Sequence, residues 1–111
     1  MKKMNEKILA KIRQYDIPLV YTDILLFLEL TGADISWFDI SAMTPGRISI
    51  FGQVEGWYIE LEFFGNGICY YYLDNATPNK GTFRIEVGQI PQSIIDRIKS
   101  KKPHIRKKDE H

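Results

Sequence analysis

Cysteine and histidine are scarce in this chain. Cys69 is the single cysteine, so a disulfide within the chain is excluded, and an unpaired thiol in an apolar strand indicates a reducing compartment. The two histidines, His104 and His111, both lie near the C-terminus, where no regular structure is predicted. We therefore expect neither a cysteine or serine nucleophile held beside a general base nor a metal site with several converging ligands.

Long apolar runs and phosphate-binding loops are also missing. No stretch approaches the ~20 apolar residues of a membrane-spanning helix, and Lys7, Lys11 and Arg13 interrupt the apolar run that a signal peptide needs. The glycine-rich segment Gly65–Gly67 lies between two predicted strands and does not precede a helix. We expect a cytoplasmic protein with no membrane segment, no cofactor and no catalytic activity.

Charge is sorted along the chain, although the net charge is only +1. Residues 1–14 carry five basic side chains and one acidic side chain, and residues 91–111 carry seven basic and three acidic ones. The centre, residues 15–90, carries ten acidic and three basic side chains. Such a separation bears on the partners and the association of a protein rather than on its fold.

The size and composition of the chain predict one globular domain. Its 111 residues, of which 44% are hydrophobic, are enough to bury a single core. We place this domain at residues 1–100 and a basic flexible tail at residues 101–111, where the apolar period stops. The sequence leaves open whether the protein forms homo-oligomers.

Three helices are predicted from apolar residues at helical spacing. They are residues 5–14, Asp23–Leu30 and a last helix that Pro91 opens. Pro18 is expected to end the first helix, Thr22 to cap the second and Gly32 to follow its end. Because the second helix is apolar almost all round, it must be sandwiched in the core or covered by a partner.

Four runs of alternating apolar and polar residues, separated by glycine-containing turns, are the strongest structural signal. They are Arg47–Val54, Trp57–Phe64, Ile68–Asp74 and Thr82–Val87. The predicted fold is a single α+β domain in which a four-stranded antiparallel β-meander follows two helices and precedes one, with the helices on one face. Residues 33–46 are equally consistent with a short strand and with a packed loop.

The same alternation assigns the two faces of the predicted sheet. A three-residue loop at Gly65–Gly67 puts Leu73 in the core and two tyrosines outside, whereas a two-residue turn inverts that strand. We prefer the first register because it buries Leu73. The core-facing residues are then Trp57, Ile59, Leu61, Phe63, Cys69, Tyr71, Leu73, Phe83, Ile85 and Val87.

The opposite face of the predicted sheet combines phenols with carboxylates, and Arg84 is its one countercharge. The candidate binding residues are Tyr58, Glu60, Glu62, Tyr70, Tyr72 and Glu86. Aromatic side chains among carboxylates are typical of a surface that binds a protein partner with a basic surface. By analogy of surface chemistry, we expect a small regulator, inhibitor, antitoxin or immunity protein of bacterial or phage origin.

Two alternative functions stay open. A nucleic-acid-binding accessory protein would contact phosphates through its basic ends, with the candidate residues Lys3, Lys7, Lys11, Lys101, Lys102, Arg106, Lys107 and Lys108. A small enzyme or ligand-binding domain would need a pocket that joins Trp37 to Glu60, Glu62 and Arg84.

Overall fold

The computed structural model of this chain describes residues 5–98, which form three helices and one five-stranded sheet. In chain order the elements are α1 (Glu6–Arg13), α2 (Pro18–Thr31), β1 (Asp39–Ser41), β2 (Ile48–Val54), β3 (Trp57–Phe63), β4 (Ile68–Asp74), β5 (Pro78–Arg84) and α3 (Gln92–Ile98). The predicted α+β class and helix order are confirmed, but the sheet has five strands rather than four. The predicted tail lies outside the described residues.

Each strand of the sheet pairs antiparallel with the strand that follows it in the chain, from β1 to β5. This is the predicted meander with one strand added at its edge. The added strand is β1, which lies in the segment 33–46 and pairs Asp39 with Phe51 and Ile40 with Ile50. A strand of three residues is too short for alternation to identify, so only its pairing with β2 reveals it.

The last strand begins earlier than predicted, at Pro78 instead of Thr82. The chain reverses directly after β4, with Ala76 in the left-handed region at φ 79°, and Asp74 therefore pairs with Pro78. Proline lacks a backbone N–H, and it fits here because β5 is an edge strand. The predicted loop before Thr82 is thus largely strand.

The last strand also ends earlier than predicted. The Glu86 N–H donates to the Arg84 carbonyl at 2.8 Å, which turns the chain out of the sheet after Arg84. Ile85 stays buried, as predicted, but Val87 is 81% exposed. The prediction that Val87 faces the core is therefore wrong, because strand alternation stops where the ladder stops.

The loop between β3 and β4 has the preferred register. Phe63 pairs with Cys69, and Leu73 is buried. Gly67 has φ 81°, a conformation that favours glycine, and its N–H donates to the Asp23 carboxylate at 2.8 Å. This bond ties the hairpin to α2, so the helix helps to hold the register of the two central strands.

The second helix begins at Pro18, which was expected to end the first one. Proline suits the first turn of a helix because its missing N–H has no partner there and its φ is already helical. Thr22 therefore lies inside α2 and is not its N-cap. Gly32 follows the last helical residue at φ 70°, as predicted, and its N–H donates to the Leu28 carbonyl at 2.8 Å.

One side of α2 faces the core and the other faces outward. Its buried residues are Val20, Ile24, Phe27 and Thr31. Leu19 is 70% exposed, and Leu25 and Leu26 are also exposed, so the helix is not sandwiched in the core of the described chain. None of the described helices has the length and apolar character needed to cross a membrane.

A buried amide fastens the start of α1 to the segment that follows α2. The Asn5 side chain donates to the Ala33 carbonyl at 3.1 Å and accepts from the Ile35 N–H at 2.9 Å. Asn5 is buried, and both of its hydrogen bonds go to buried backbone groups that would otherwise lack a partner. The two N-terminal helices are thereby held as one layer.

The described helices and the sheet bury one continuous core on a single side of the sheet. Phe27 of α2 makes an edge-to-face contact with Phe63 of β3, with 5.5 Å between ring centroids. Arg97 of α3 lies 4.3 Å from the ring centroid of Trp57, which also faces this side. Because the described helices pack on this side, no helix within residues 5–98 covers the opposite side of the sheet.

Candidate functional site

The outer face is the side of the sheet that points away from the helices. Register and alternation define its residues. They are Asp39, Ser41, Ser49, Phe51, Gln53, Tyr58, Glu60, Glu62, Ile68, Tyr70, Tyr72, Asp74, Pro78, Lys80, Thr82 and Arg84. Aromatic and acidic side chains are concentrated on its two central strands, β3 and β4.

Five of the six predicted binding residues lie together on the outer face. Tyr58 is on β3, Glu60 pairs with Tyr72, and Glu62 pairs with Tyr70 across β3 and β4. Side chains on directly opposed residues of one face are close enough to interact. The register therefore places these five residues on one face, as the alternation predicts, and their role in binding a partner stays a prediction.

Glu86, the sixth predicted residue, does not belong to the outer face. It lies beyond the end of β5, in the turn that leads toward α3. Its carboxylate is 3.7 Å from the Arg84 guanidinium, and both side chains are largely exposed. The prediction placed Glu86 by extending the alternation of a strand that has already ended at Arg84.

The charge on the outer face is more divided than predicted. Because β5 starts at Pro78, it also includes Lys80, which lies on the same face as Arg84. The prediction that Arg84 is the one countercharge is therefore wrong. On β4, Asp74 lies two residues after Tyr72 and therefore points to the same face. It adds a carboxylate that the sequence prediction did not include. The two central strands therefore carry three outward carboxylates and no outward cation, and basic residues lie on β5.

One carboxylate of the outer face is engaged by the chain itself. Glu62 accepts a hydrogen bond from the Ser49 hydroxyl at 3.1 Å, and its carboxylate lies 3.7 Å from the Arg47 guanidinium. The same guanidinium lies 5.1 Å from the ring centroid of Phe64. Arg47 is thus held between an aromatic ring and a carboxylate, which is a favourable environment for a guanidinium.

A second group of four residues, the tyrosine–carboxylate quartet, consists of Tyr58, Glu60, Tyr72 and Asp74. Tyr58 pairs with Asp74 and Glu60 pairs with Tyr72, so the two phenols lie on one diagonal and the two carboxylates on the other. The phenol rings meet edge to face with 6.1 Å between centroids. Tyr58 donates to Glu60 at 3.1 Å and Tyr72 donates to Asp74 at 3.0 Å.

The quartet keeps its phenols protonated. Burial and the hydrogen bond to Glu60 raise the pKa of Tyr58 to about 12 from an ordinary value of 10.0. The hydrogen bond to Asp74 is the main cause that raises the pKa of Tyr72. Ionising either phenol would remove its donated hydrogen and put a second negative charge beside a carboxylate. At neutral pH both phenols of the quartet are therefore neutral, and each donates its hydrogen to a carboxylate.

The raised pKa of Tyr58 predicts a loss of stability at alkaline pH. The unfolded chain releases the phenol proton near pH 10, whereas the folded chain holds it until about pH 12, so the free energy of unfolding falls as pH rises between these values. Tyr58→Phe removes this contribution. Urea unfolding at several pH values in this window should show a shallower decline for Tyr58→Phe than for the wild type, and identical slopes would contradict the prediction.

The pocket that would join Trp37 to Glu60 is not formed. A side chain on Gly52 would approach the Trp37 ring at 3.2 Å, and Gly52 shares the core-facing alternation of Ile50. Trp37 therefore lies on the helix side of the sheet, whereas Glu60, Glu62 and Arg84 lie on the outer face. The residues required by the enzyme or ligand-binding alternative are on opposite sides of the sheet.

The basic residues of the nucleic-acid alternative are only partly within the described chain. Lys7 and Lys11 are exposed on α1, which packs on the helix side of the sheet through Ile8 and Ile12. The other candidates, Lys3, Lys101, Lys102, Arg106, Lys107 and Lys108, lie outside the described residues. Lys7 and Lys11 are thus on the other side of the described chain from the outer face.

Neither metal ligands within residues 5–98 nor similarity to known proteins indicates a role for the outer face. Between residues 5 and 98, no three His, Cys, Asp or Glu side chains are grouped so that they could hold a metal ion. The two histidines lie outside this range. Comparison of the chain with protein-family models, curated proteins and solved structures finds no match.

Proposed function

We propose that this protein is a non-catalytic interaction protein that binds a protein partner through the outer face. The observation that carries the proposal is the surface of β3 and β4, where three cross-strand pairs each oppose a phenol to a carboxylate and no described helix covers them. Tyrosines supply large and rather rigid contact area, and they are enriched among the residues that dominate binding energy.

The charge of the two central strands favours a partner with a basic surface. Glu60, Glu62 and Asp74 point outward there, and the chain supplies a cation only to Glu62 among the described residues. Opposite charge accelerates association and selects the orientation of the two proteins. An inhibitor or regulator that occupies a basic groove on its target is the class of protein that this face suits best.

Charge reversal on β3 tests the proposal. Glu60→Lys combined with Glu62→Lys should lower the affinity for the partner at least about tenfold, because like charges then face each other across the interface. The partner is captured from a lysate of the native host with the full chain and is then purified. Titration calorimetry then measures the affinity of the purified partner for the wild-type chain and for the double variant.

A matched double variant distinguishes the effect of charges on the outer face from the effect of net charge. Glu29→Lys combined with Glu86→Lys changes the net charge equally, but Glu29 lies on α2 and Glu86 lies beyond β5. This control should keep the wild-type affinity, and both double variants should keep nearly the wild-type melting temperature, since exposed substitutions usually cost less than about 0.5 kcal/mol. Equal affinity of all three proteins would overturn the proposal.

Nuclease treatment distinguishes the nucleic-acid alternative in the same experiment. A protein partner bound through the outer face should be captured equally with and without nuclease. Loss of the captured species on nuclease treatment, together with binding that weakens steeply with salt, would instead indicate phosphate contacts by the basic residues. That result would replace the outer face with the basic ends of the chain as the functional surface.

A further inference from the structure

Glu62 of the outer face, together with the neighbouring Phe64, already holds one arginine of the chain. Arg47 lies between the Phe64 ring and the Glu62 carboxylate, so its guanidinium contacts an aromatic ring and an anion together. Arginine suits such a place because its planar group stacks on a ring while its N–H groups donate to carboxylate oxygens. This internal example identifies the chemistry that the face can recognise.

The tyrosine–carboxylate quartet offers the same two kinds of group, in duplicate. Tyr58 and Tyr72 present two phenol rings, and Glu60 and Asp74 present carboxylates beside them. Each carboxylate accepts one hydrogen bond from a phenol and has further acceptor sites on its two oxygens. Neither carboxylate has an ion pair with any residue of the described chain.

The hydrogen bonds within the quartet also prepare it for a cation. Each phenol donates to a carboxylate two residues later on the same strand, which fixes the orientation of both rings. The phenols satisfy only part of the acceptor capacity of the two carboxylates, and no described cation lies between them. A guanidinium entering from solvent can stack on a ring and donate to both carboxylates, while a lysine ammonium has no planar group to stack.

We infer that the quartet is the anchoring point for an arginine side chain of the partner. This inference rests on the proposed function, because it assigns one contact within the same face. It specifies the partner further, as a protein that presents at least one exposed arginine where it meets β3 and β4.

Short peptides test the inference without the partner. Three seven-residue peptides, identical except for two positions occupied by arginine, lysine or the uncharged isostere citrulline, are titrated into the ¹⁵N-labelled full chain. The arginine peptide should shift the amide resonances of Tyr58 to Glu60 and Tyr72 to Asp74. It should bind at least about threefold more tightly than the lysine peptide, because a planar guanidinium stacks on a ring and a compact ammonium does not. The citrulline peptide should give no saturable shifts.

Two double variants of equal charge locate the binding to the quartet. Glu60→Gln with Asp74→Asn replaces both quartet carboxylates by amides of nearly the same shape. This variant should bind the arginine peptide at least about fivefold more weakly than the wild type. Glu29→Gln with Glu86→Gln removes the same charge away from the outer face and should leave the affinity within about twofold of wild type. The dispersion of each spectrum verifies that the variants are folded.

Failure of this inference can be distinguished from failure of the proposed function. Equal weakening by both double variants, shifts centred away from the quartet, or no saturable binding of the arginine peptide would each overturn the arginine anchor. The proposed function is judged separately, by the affinity of the captured partner for Glu60→Lys with Glu62→Lys. A partner lost by that variant but retained by Glu60→Gln with Asp74→Asn would keep the outer face as the interface and remove the quartet as its anchor.

Discussion

Replacing Phe27 with alanine is expected to lower the free energy of unfolding by about 3–5 kcal/mol. Phe27 is 1% exposed and lies on the buried side of α2. Its ring contacts Phe63 of β3 with 5.5 Å and Phe83 of β5 with 6.1 Å between centroids. Truncation therefore leaves a cavity at the point where the helix layer meets two strands, and urea unfolding followed by circular dichroism measures the loss.

The neighbouring residue on the same helix provides the control. Leu26 is 41% exposed, and Leu26→Ala should change the free energy of unfolding by less than about 1 kcal/mol, because little apolar area is lost. If Phe27→Ala is too unstable to fold, Phe27→Leu creates a smaller cavity and should still cost more than Leu26→Ala. Similar losses at Phe27 and Leu26 would contradict the orientation of α2 on the sheet.

The central strands were predictable because their alternation is strict and their turns contain glycine. Trp57–Phe63 and Ile68–Asp74 have the predicted faces, and burying Leu73 was enough to choose between two registers of the hairpin. A wrong register would expose one complete set of apolar side chains, so the burial of the core selects the correct one. The grouping of Tyr58, Glu60 and Tyr72 follows from the same rule.

The edges of the sheet were harder to predict, since distant contacts determine them. The turn before β5 uses Ala76 at φ 79°, a conformation that an alanine rarely adopts and that no local rule predicts. Lys80 joins the outer face as a consequence of this turn. The number of basic residues on the outer face therefore depended on a turn that could not be predicted from the sequence. Asp74, in contrast, could have been assigned to this face by alternation alone.

Pro18 illustrates a signal with two meanings. A proline is unfavourable inside a helix and favourable in its first turn, so the same residue is compatible with the end of α1 and with the start of α2. The chain uses the second option, and α2 gains a full turn before Thr22. That turn includes Val20, which is buried, so core packing accounts for the earlier start.

Cys69 is expected to react with iodoacetamide at least about 10³ times more slowly in the folded protein than in concentrated urea, because a typical domain is stable by 5 kcal/mol or more. The thiol is completely buried on β4, where Cys69 pairs with Phe63 on one side and Phe83 on the other. Burial also raises its pKa, which disfavours the reactive thiolate. Mass spectrometry of the alkylated chain measures both rates.

An exposed cysteine provides the reference rate of alkylation, and Phe27→Ala tests whether the rate at Cys69 depends on the free energy of unfolding. Ser93 is exposed on α3, so Ser93→Cys in a Cys69→Ala background should react at nearly the same rate with and without urea. If Cys69 reacts only when the domain opens, Phe27→Ala should accelerate its alkylation about 10²-fold or more, since the open population rises as the free energy of unfolding falls. Rapid alkylation of Cys69 in the native wild type would mean that the thiol is accessible, and an unchanged rate in Phe27→Ala would mean that it reacts through a local opening of β4 instead.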